Sequence, residues 1–112
     1  MPMIGLITNV SVSGSAQAEL ARGLGETIGL IPGKSEDKLM LKIEGESAMY
    51  FKGRDDLPAA YVWVDVAGKA EEEVYKRFGA AVTALLGKVL AIPRPNVFLT
   101  VREIPLWVVD GE

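Results

Sequence analysis

Few of the 112 residues can exchange a proton near neutral pH. The chain contains no cysteine and no histidine, so thiolate nucleophiles, imidazole bases, disulfides and the usual zinc ligands are all excluded. Any chemistry must come from amines, carboxylates, hydroxyls or backbone. Among these, Pro2 stands out. If Met1 is removed, as is usual before a small residue or proline, the chain begins with a secondary amine. Its reference basicity lies in or somewhat above the α-amino range of about 7.7 to 8.0. Apolar residues such as Ile4 and Leu6 follow it. Burial at the head of an apolar strand disfavours the cation and lowers the amine's pKa toward neutrality, which makes a general base without histidine.

Other chemical motifs fail on spacing. Gly33-Lys34-Ser35 ends like a phosphate-binding loop, but Ile28 stands where the pattern needs glycine, and the run closes a helix instead of opening one. Gly23, Gly25 and Gly29 have the wrong spacing for a dinucleotide fingerprint and sit inside a helical pattern, where they allow close packing. Asn9-Val10-Ser11 is a glycosylation sequon in a chain without a signal peptide. Lys42, Lys52 and Arg54 form only a loose, solvated basic cluster.

The elements that must position Pro2 come from an internal repeat. A shift of 58 positions pairs Ile4 with Val62, Leu6 with Val64 and Thr8 with Val66 in a strand pattern. It then pairs Ala16, Leu20, Leu24, Ile28 and Ile31 with Val74, Phe78, Val82, Leu86 and Val89. Those steps of three and four residues mark one helix face. Leu39, Leu41 and Ile43 finally meet Val97, Leu99 and Val101, alternating like a half-buried strand. Each half reads as a β-α-β unit. Ser13 or Ser15 caps the first helix, and Pro32-Gly33 stops it at Ile31. Glu71, Glu72 and Glu73 open the second helix and Lys88 lies near its end, both favourable to the helix dipole. A short strand is expected over Ser47 to Phe51, followed by a polar loop from Lys52 to Leu57.

Each crossover makes its two strands parallel, so the two units side by side form one mixed α/β sheet of about four strands with both helices on one face. The other face carries Met3, Ile7, Met40, Tyr61, Trp63 and Phe98. That much apolar surface predicts oligomerisation through the sheet.

Composition agrees with one small soluble domain over 1–112. The chain is 49% hydrophobic and 24% charged, a globular balance. Twelve basic against fifteen acidic residues leave a net charge of −3 with no basic block, which argues against nucleic acid as a partner. No stretch reaches the roughly 18 apolar residues needed to span a bilayer, and no signal-peptide pattern opens the chain. A cytoplasmic protein that does not engage membrane is expected.

With these features together, the sequence resembles the macrophage migration inhibitory factor branch of the tautomerase superfamily. The resemblance runs through Met1-Pro2-Met3, Thr8-Asn9 and Gly33-Lys34. It continues through Met49-Tyr50-Phe51-Lys52-Gly53, Pro58-Ala59-Ala60-Tyr61-Val62 and Gly68. It implies trimers of β-α-β-β-α-β subunits whose sheets wrap an inner barrel. It also implies a cofactor-independent keto-enol tautomerase of phenylpyruvate-like acids that uses the N-terminal proline as its base.

By the same resemblance Pro2 is the catalytic base and acid, and Lys34 holds the substrate carboxylate. As a cation at the end of the first helix, Lys34 also complements that helix's dipole. Ala67 falls where the family supplies a backbone N–H. Phe98, supplied by a neighbouring subunit, falls on a pocket tyrosine, and Thr100 on an asparagine. Trp107 falls where C-terminal aromatics close the pocket or pack against the next subunit. Three departures stand against this: Phe98 has no hydroxyl, Thr100 has no amide, and Lys38 occupies the position of a second pocket tyrosine. The tail differs as well, and the Cys-x-x-Cys motif of some members is missing. The alternative function is therefore a non-catalytic trimer with an interaction or cytokine-like signalling role. Leaderless secretion is possible by resemblance to the family. A ferredoxin-like ligand-binding domain with a chance Met-Pro start, more often a dimer, is the third reading.

Overall fold

Alternating apolar side chains build the sheet. The computed structural model describes residues 1–112. In β1 (Pro2–Thr8), Ile4, Leu6 and Thr8 are buried while Met3 and Ile7 on the other face are half-buried. The same period-two pattern recurs in β3 (Ala60–Val66), where Val62, Val64 and Val66 are buried. At the two edges, β2 (Met40–Glu44) and β4 (Val97–Glu103) alternate between half-buried and exposed positions. The strand order is β2-β1-β3-β4, with β1 parallel to β2, antiparallel to β3, and β3 parallel to β4. The two β-α-β units thus lie side by side in one mixed sheet, as the repeat predicts, and are joined through their first strands.

The helices cover one face. Helix α1 (Gly14–Thr27) is capped by Ser13, whose hydroxyl accepts the Ala16 N–H, and ends in a single 3-10 turn over Ile28–Leu30. Helix α2 (Glu72–Leu90) closes on Ala91, which adopts φ 57° as a left-handed cap. Leu20, Leu24, Ile28 and Ile31 meet Phe78, Val82, Leu86 and Ile92 over the sheet in one fully enclosed core. Burying a side chain of this size contributes about 1.5–3 kcal/mol. Gly23 and Gly25 do mark close packing, against the Leu85 and Glu36 side chains, whereas Gly29 faces open space. Near the end of β4, the Tyr75 phenol donates to Glu103 at 2.7 Å and the Ala70 N–H also bonds that carboxylate. Burial and the adjacent carboxylate push the phenol up to about 12. The clamp fixes where the chain leaves the sheet.

The expected strand over Ser47 to Phe51 does not form. Phe51 makes only an isolated bridge to Arg54 around a tight turn in which Lys52 and Gly53 have φ 56° and 73°. The Phe51 and Arg54 backbones bond each other, so the hydrogen bonds of this segment close locally. Asn9 instead anchors the loop's far end, donating to the Leu57 carbonyl and accepting from the Ala59 N–H. The basic cluster is solvated, as expected: Lys42 pairs with Glu44, Arg54 with Asp56, and Lys52 lies over the Phe51 ring.

The opposite face of the sheet has no helical cover. Its cross-strand rows run Met40-Met3-Asp65-Arg102, Lys42-Gly5-Trp63-Thr100 and Glu44-Ile7-Tyr61-Phe98. Met40 is 69% and Phe98 61% exposed. Trp63 lies across Gly5, where a Cβ would collide with the indole. Gly5→Ala is expected to cost about 1–3 kcal/mol through overpacking, read as a lowered Tm that Trp63→Leu partly restores. An unchanged Tm would show that the indole can move aside. No helix is long and apolar enough to cross a membrane.

Candidate active site

Four segments converge on the end of the sheet where β1 begins. Pro2 is paired with Val66 and buried. Beyond Val66 the chain turns at Gly68, φ 79°, leaving the Ala67 peptide beside the N-terminus. The Ala67 N–H donates to the Met1 carbonyl at 3.1 Å. On the other side of that residue, the Lys34 ammonium donates to the Ala67 carbonyl at 2.7 Å. A turn places Lys34 there: its N–H bonds the Ile31 carbonyl, and Gly33 adopts φ 78°. The segment after β4 arrives last. The Ile104 N–H bonds Val66, extending the β3–β4 ladder, and the Trp107 indole N–H donates to the Ile104 carbonyl at 3.1 Å.

Beside them, the head of β1, the residues that lead into β2 and the tail after β4 line a cavity of about 450 Å³, on which Lys34 and Ala67 do not lie. Pro2 lies in its wall with Met3, Met40, Trp107 and Val109, and the charged groups on it are Lys38 and Asp110. A larger groove of about 700 Å³ beside α2, lined in part by Thr83 and Arg94, lies away from every group just described. We take the smaller cavity as the candidate site because it joins Pro2, one cationic side chain and an apolar wall.

The electrostatics favour a neutral amine. The α-amino group, here on Met1, is held below its ordinary value first by burial and then by the positive charges of Lys34 and Lys38. Once Met1 is gone, the amine belongs to Pro2, which is more deeply buried and lies in the same field. While Met1 remains, the Pro2 nitrogen is an amide without basicity. The Met1 carbonyl also occupies the Ala67 donor.

Of the residues anticipated from sequence, Pro2, Lys34, Ala67 and Trp107 come together. Phe98 and Thr100 do not join them within one chain. Phe98 pairs with Tyr61, and Tyr61 with Ile7, five residues along β1 from Pro2 or about 16 Å at strand rise. There Phe98 packs edge-on against Phe51, and the Thr100 hydroxyl lies 2.7 Å from that of Tyr61. Sequence reasoning missed Met3 and Met40 as cavity residues, although their alternation already put both on the uncovered face. Val109 and Asp110 gave no signal, because an irregular tail has no periodicity to read.

Two β-α-β units in one mixed sheet, with an N-terminal proline opening the first strand beside a cavity, define a protein of the tautomerase-superfamily fold. The chain belongs to the macrophage migration inhibitory factor family, whose model matches residues 1–111. Among solved structures, Leishmania major MIF2 is 25% identical, with a TM-score of 0.90 over 99% of this chain and 95% of that one. A fused 4-OT described as a symmetric trimer is 17% identical, with a TM-score of 0.86 over 98% and 94%. A third protein, crystallised after inactivation by 2-oxo-3-pentynoate, is 16% identical, with a TM-score of 0.85 over 97% and 92%. No curated protein sequence matches the chain.

Proposed function

We propose that the chain is a cofactor-independent keto-enol tautomerase of small phenylpyruvate-like 2-oxo acids, working as a homotrimer with Pro2 as the proton carrier. The observation that carries this reading is the Met1 carbonyl. It is an acyl oxygen held by the Ala67 N–H directly beside the Pro2 nitrogen. With Met1 removed, an oxygen of a 2-oxo acid can take the same donor and present its enol to the free amine. The neutral amine then accepts the enol hydroxyl proton, and the C2–C3 π electrons take a proton back from the ammonium at C3. One proton has moved from oxygen to carbon, and nothing is oxidised or reduced. Lys34, with two N–H bonds still to give, stabilises the carboxylate and the charge that develops on oxygen. Met3, Met40 and Trp107 exclude water from the hydrocarbon part.

The trimer is supported by the uncovered sheet face and by the exposed tail, where Leu106 is 77% exposed. The related 4-OT assembly is described as a trimer as well. A neighbouring copy is the natural source for Phe98 and Thr100, which are far from Pro2 in their own chain. Light scattering is expected to give about three times the 12.0 kDa chain mass; a 12 kDa particle would overturn the assembly.

A second reading, a non-catalytic interaction trimer, draws on Phe98 and Thr100. One has no hydroxyl, and the hydroxyl of the other is engaged by Tyr61. Ketonisation of enol-phenylpyruvate, followed by ultraviolet absorbance with protein whose intact mass proves loss of Met1, separates the two. The tautomerase gives a rate above buffer, and the binding protein gives none.

A further inference from the structure

Between the end of β3 and the start of α2 the chain has no regular structure, and the N–H on which the proposed reaction depends lies there. Three hydrogen bonds hold the stretch from Ala67 to Ala70. The Ala67 N–H donates to the Met1 carbonyl at 3.1 Å, the Lys34 ammonium donates to the Ala67 carbonyl at 2.7 Å, and the Ala70 N–H donates to the Glu103 carboxylate at 3.2 Å. Removal of Met1 takes away the first. The second hangs on a long lysine side chain that moves with the loop it holds. The loop then needs a fixed anchor on its far side, and Glu103 supplies it.

The placement of Glu103 is set by the sheet. It is the last residue of β4, in register with Val66, which is itself in register with Pro2. The carboxylate oxygen that takes the Ala70 N–H also accepts the Tyr75 phenol at 2.7 Å, so one atom ties the strand, the loop and the first turn of α2 together. Glu103 belongs to none of the chain's ion pairs. The Tyr75 and Ala70 bonds hold its carboxyl below the ordinary carboxylate range, and an acceptor that is charged at neutral pH makes the stronger hydrogen bonds. Two strand spacings, about 10 Å, separate its backbone from that of Pro2. Its action on the reaction therefore runs through the loop.

We propose that Glu103 and Tyr75 are positioning residues, which hold the Ala67 N–H on the substrate oxygen after the Met1 carbonyl has left. This rests on the proposed tautomerase function and goes beyond it by giving a role to two residues outside the cavity. Neither touches substrate or moves a proton. An N–H that drifts from its oxygen loses most in the transition state, where charge develops on that oxygen, so the loss falls on kcat.

The test is steady-state ketonisation of enol-phenylpyruvate by Met1-free wild type, Glu103→Ala, Glu103→Gln and Tyr75→Phe, with the unfolding temperature of each. Glu103→Ala is expected to lower kcat by about tenfold with KM little changed, short of the hundredfold or more that follows outright loss of such a donor. Glu103→Gln keeps an acceptor oxygen for Ala70 and Tyr75 and should recover most of the rate. Tyr75→Phe leaves the Ala70 bond in place and should lower kcat by less than Glu103→Ala. A clamp that is merely structural gives a lower unfolding temperature in Glu103→Ala with kcat unchanged. That result, or a Glu103→Gln protein as slow as Glu103→Ala, would overturn the proposal and leave the tautomerase standing. If Glu103→Ala does not hold its fold at the assay temperature, Tyr75→Phe decides, and an unchanged kcat there overturns the proposal. No ketonisation by wild type would overturn the tautomerase and this inference with it.

Discussion

Protein that retains Met1 is expected to ketonise enol-phenylpyruvate at no more than the buffer rate, while the trimmed protein turns it over. A positioned acid-base group contributes about a hundred- to ten-thousandfold, and retention of Met1 removes that whole contribution in two ways. The Pro2 nitrogen becomes an amide, and the Ala67 N–H stays occupied by the Met1 carbonyl at 3.1 Å. Pro2→Ala, trimmed to a primary amine, separates these effects. It restores the Ala67 donor but replaces a ring-fixed secondary amine by a freely rotating one, and kcat should fall at least tenfold with KM little changed. Intact mass assigns each sample, and the fold is checked by its unfolding temperature. Equal activity with and without Met1 would remove Pro2 from the mechanism.

The second large effect belongs to Lys34 and to pH. A base must be neutral to accept a proton, so kcat/KM rises as pH climbs through the amine's pKa. Burial, Lys34 and Lys38 each lower the pKa of the α-amino group when it is on Met1, and a Pro2 amine one residue further in is expected to feel the same influences. The rising limb should therefore lie below the about 7.7 to 8.0 of an exposed amine. Lys34→Gln removes one of the two positive charges and moves the limb to higher pH. It also removes a charge-assisted contact to the carboxylate, worth about 1.5–3 kcal/mol, so KM should rise by about ten- to a hundredfold. A KM unchanged in Lys34→Gln would show that the ammonium serves only to brace the Ala67 carbonyl.

Most of the fold is legible in the sequence because burial imposes periods. Ile4, Leu6, Val62 and Val64 alternate because a strand has two faces, and Leu20, Leu24 and Ile28 recur every four because a helix has one buried stripe. The segment 47–51 misled for a related reason. Met49, Tyr50 and Phe51 have strand-forming side chains, but a strand also needs a partner, and these residues pair with neither free edge of the sheet, β2 or β4. The Lys52-Gly53 turn takes up the bonds instead.

Of the candidate site, the residues brought together within one chain were those the family resemblance singled out. Pro2, Lys34 and Ala67 lie on β1, on the turn after α1 and just past the end of β3. Phe98 and Thr100 lie in the first half of β4, away from Pro2 within the chain, and a linear sequence does not show that separation. The tail from Ile104 onward shows neither period, so only Trp107 gave a signal there, through its size and its indole. Lys38 was visible as a departure from the family pattern. Its place on the cavity wall beside Met40 and Trp107 became visible only in the fold.

The central claim is that the Pro2 amine is the working base, and its titration tests that most directly. With proline labelled by nitrogen-15 and Met1 shown by mass to be absent, the Pro2 resonance should titrate below the ordinary α-amino range. Its midpoint should match the rising limb of kcat/KM for enol-phenylpyruvate. A Pro2 amine still fully protonated at a pH where the enzyme works at full rate would contradict the account.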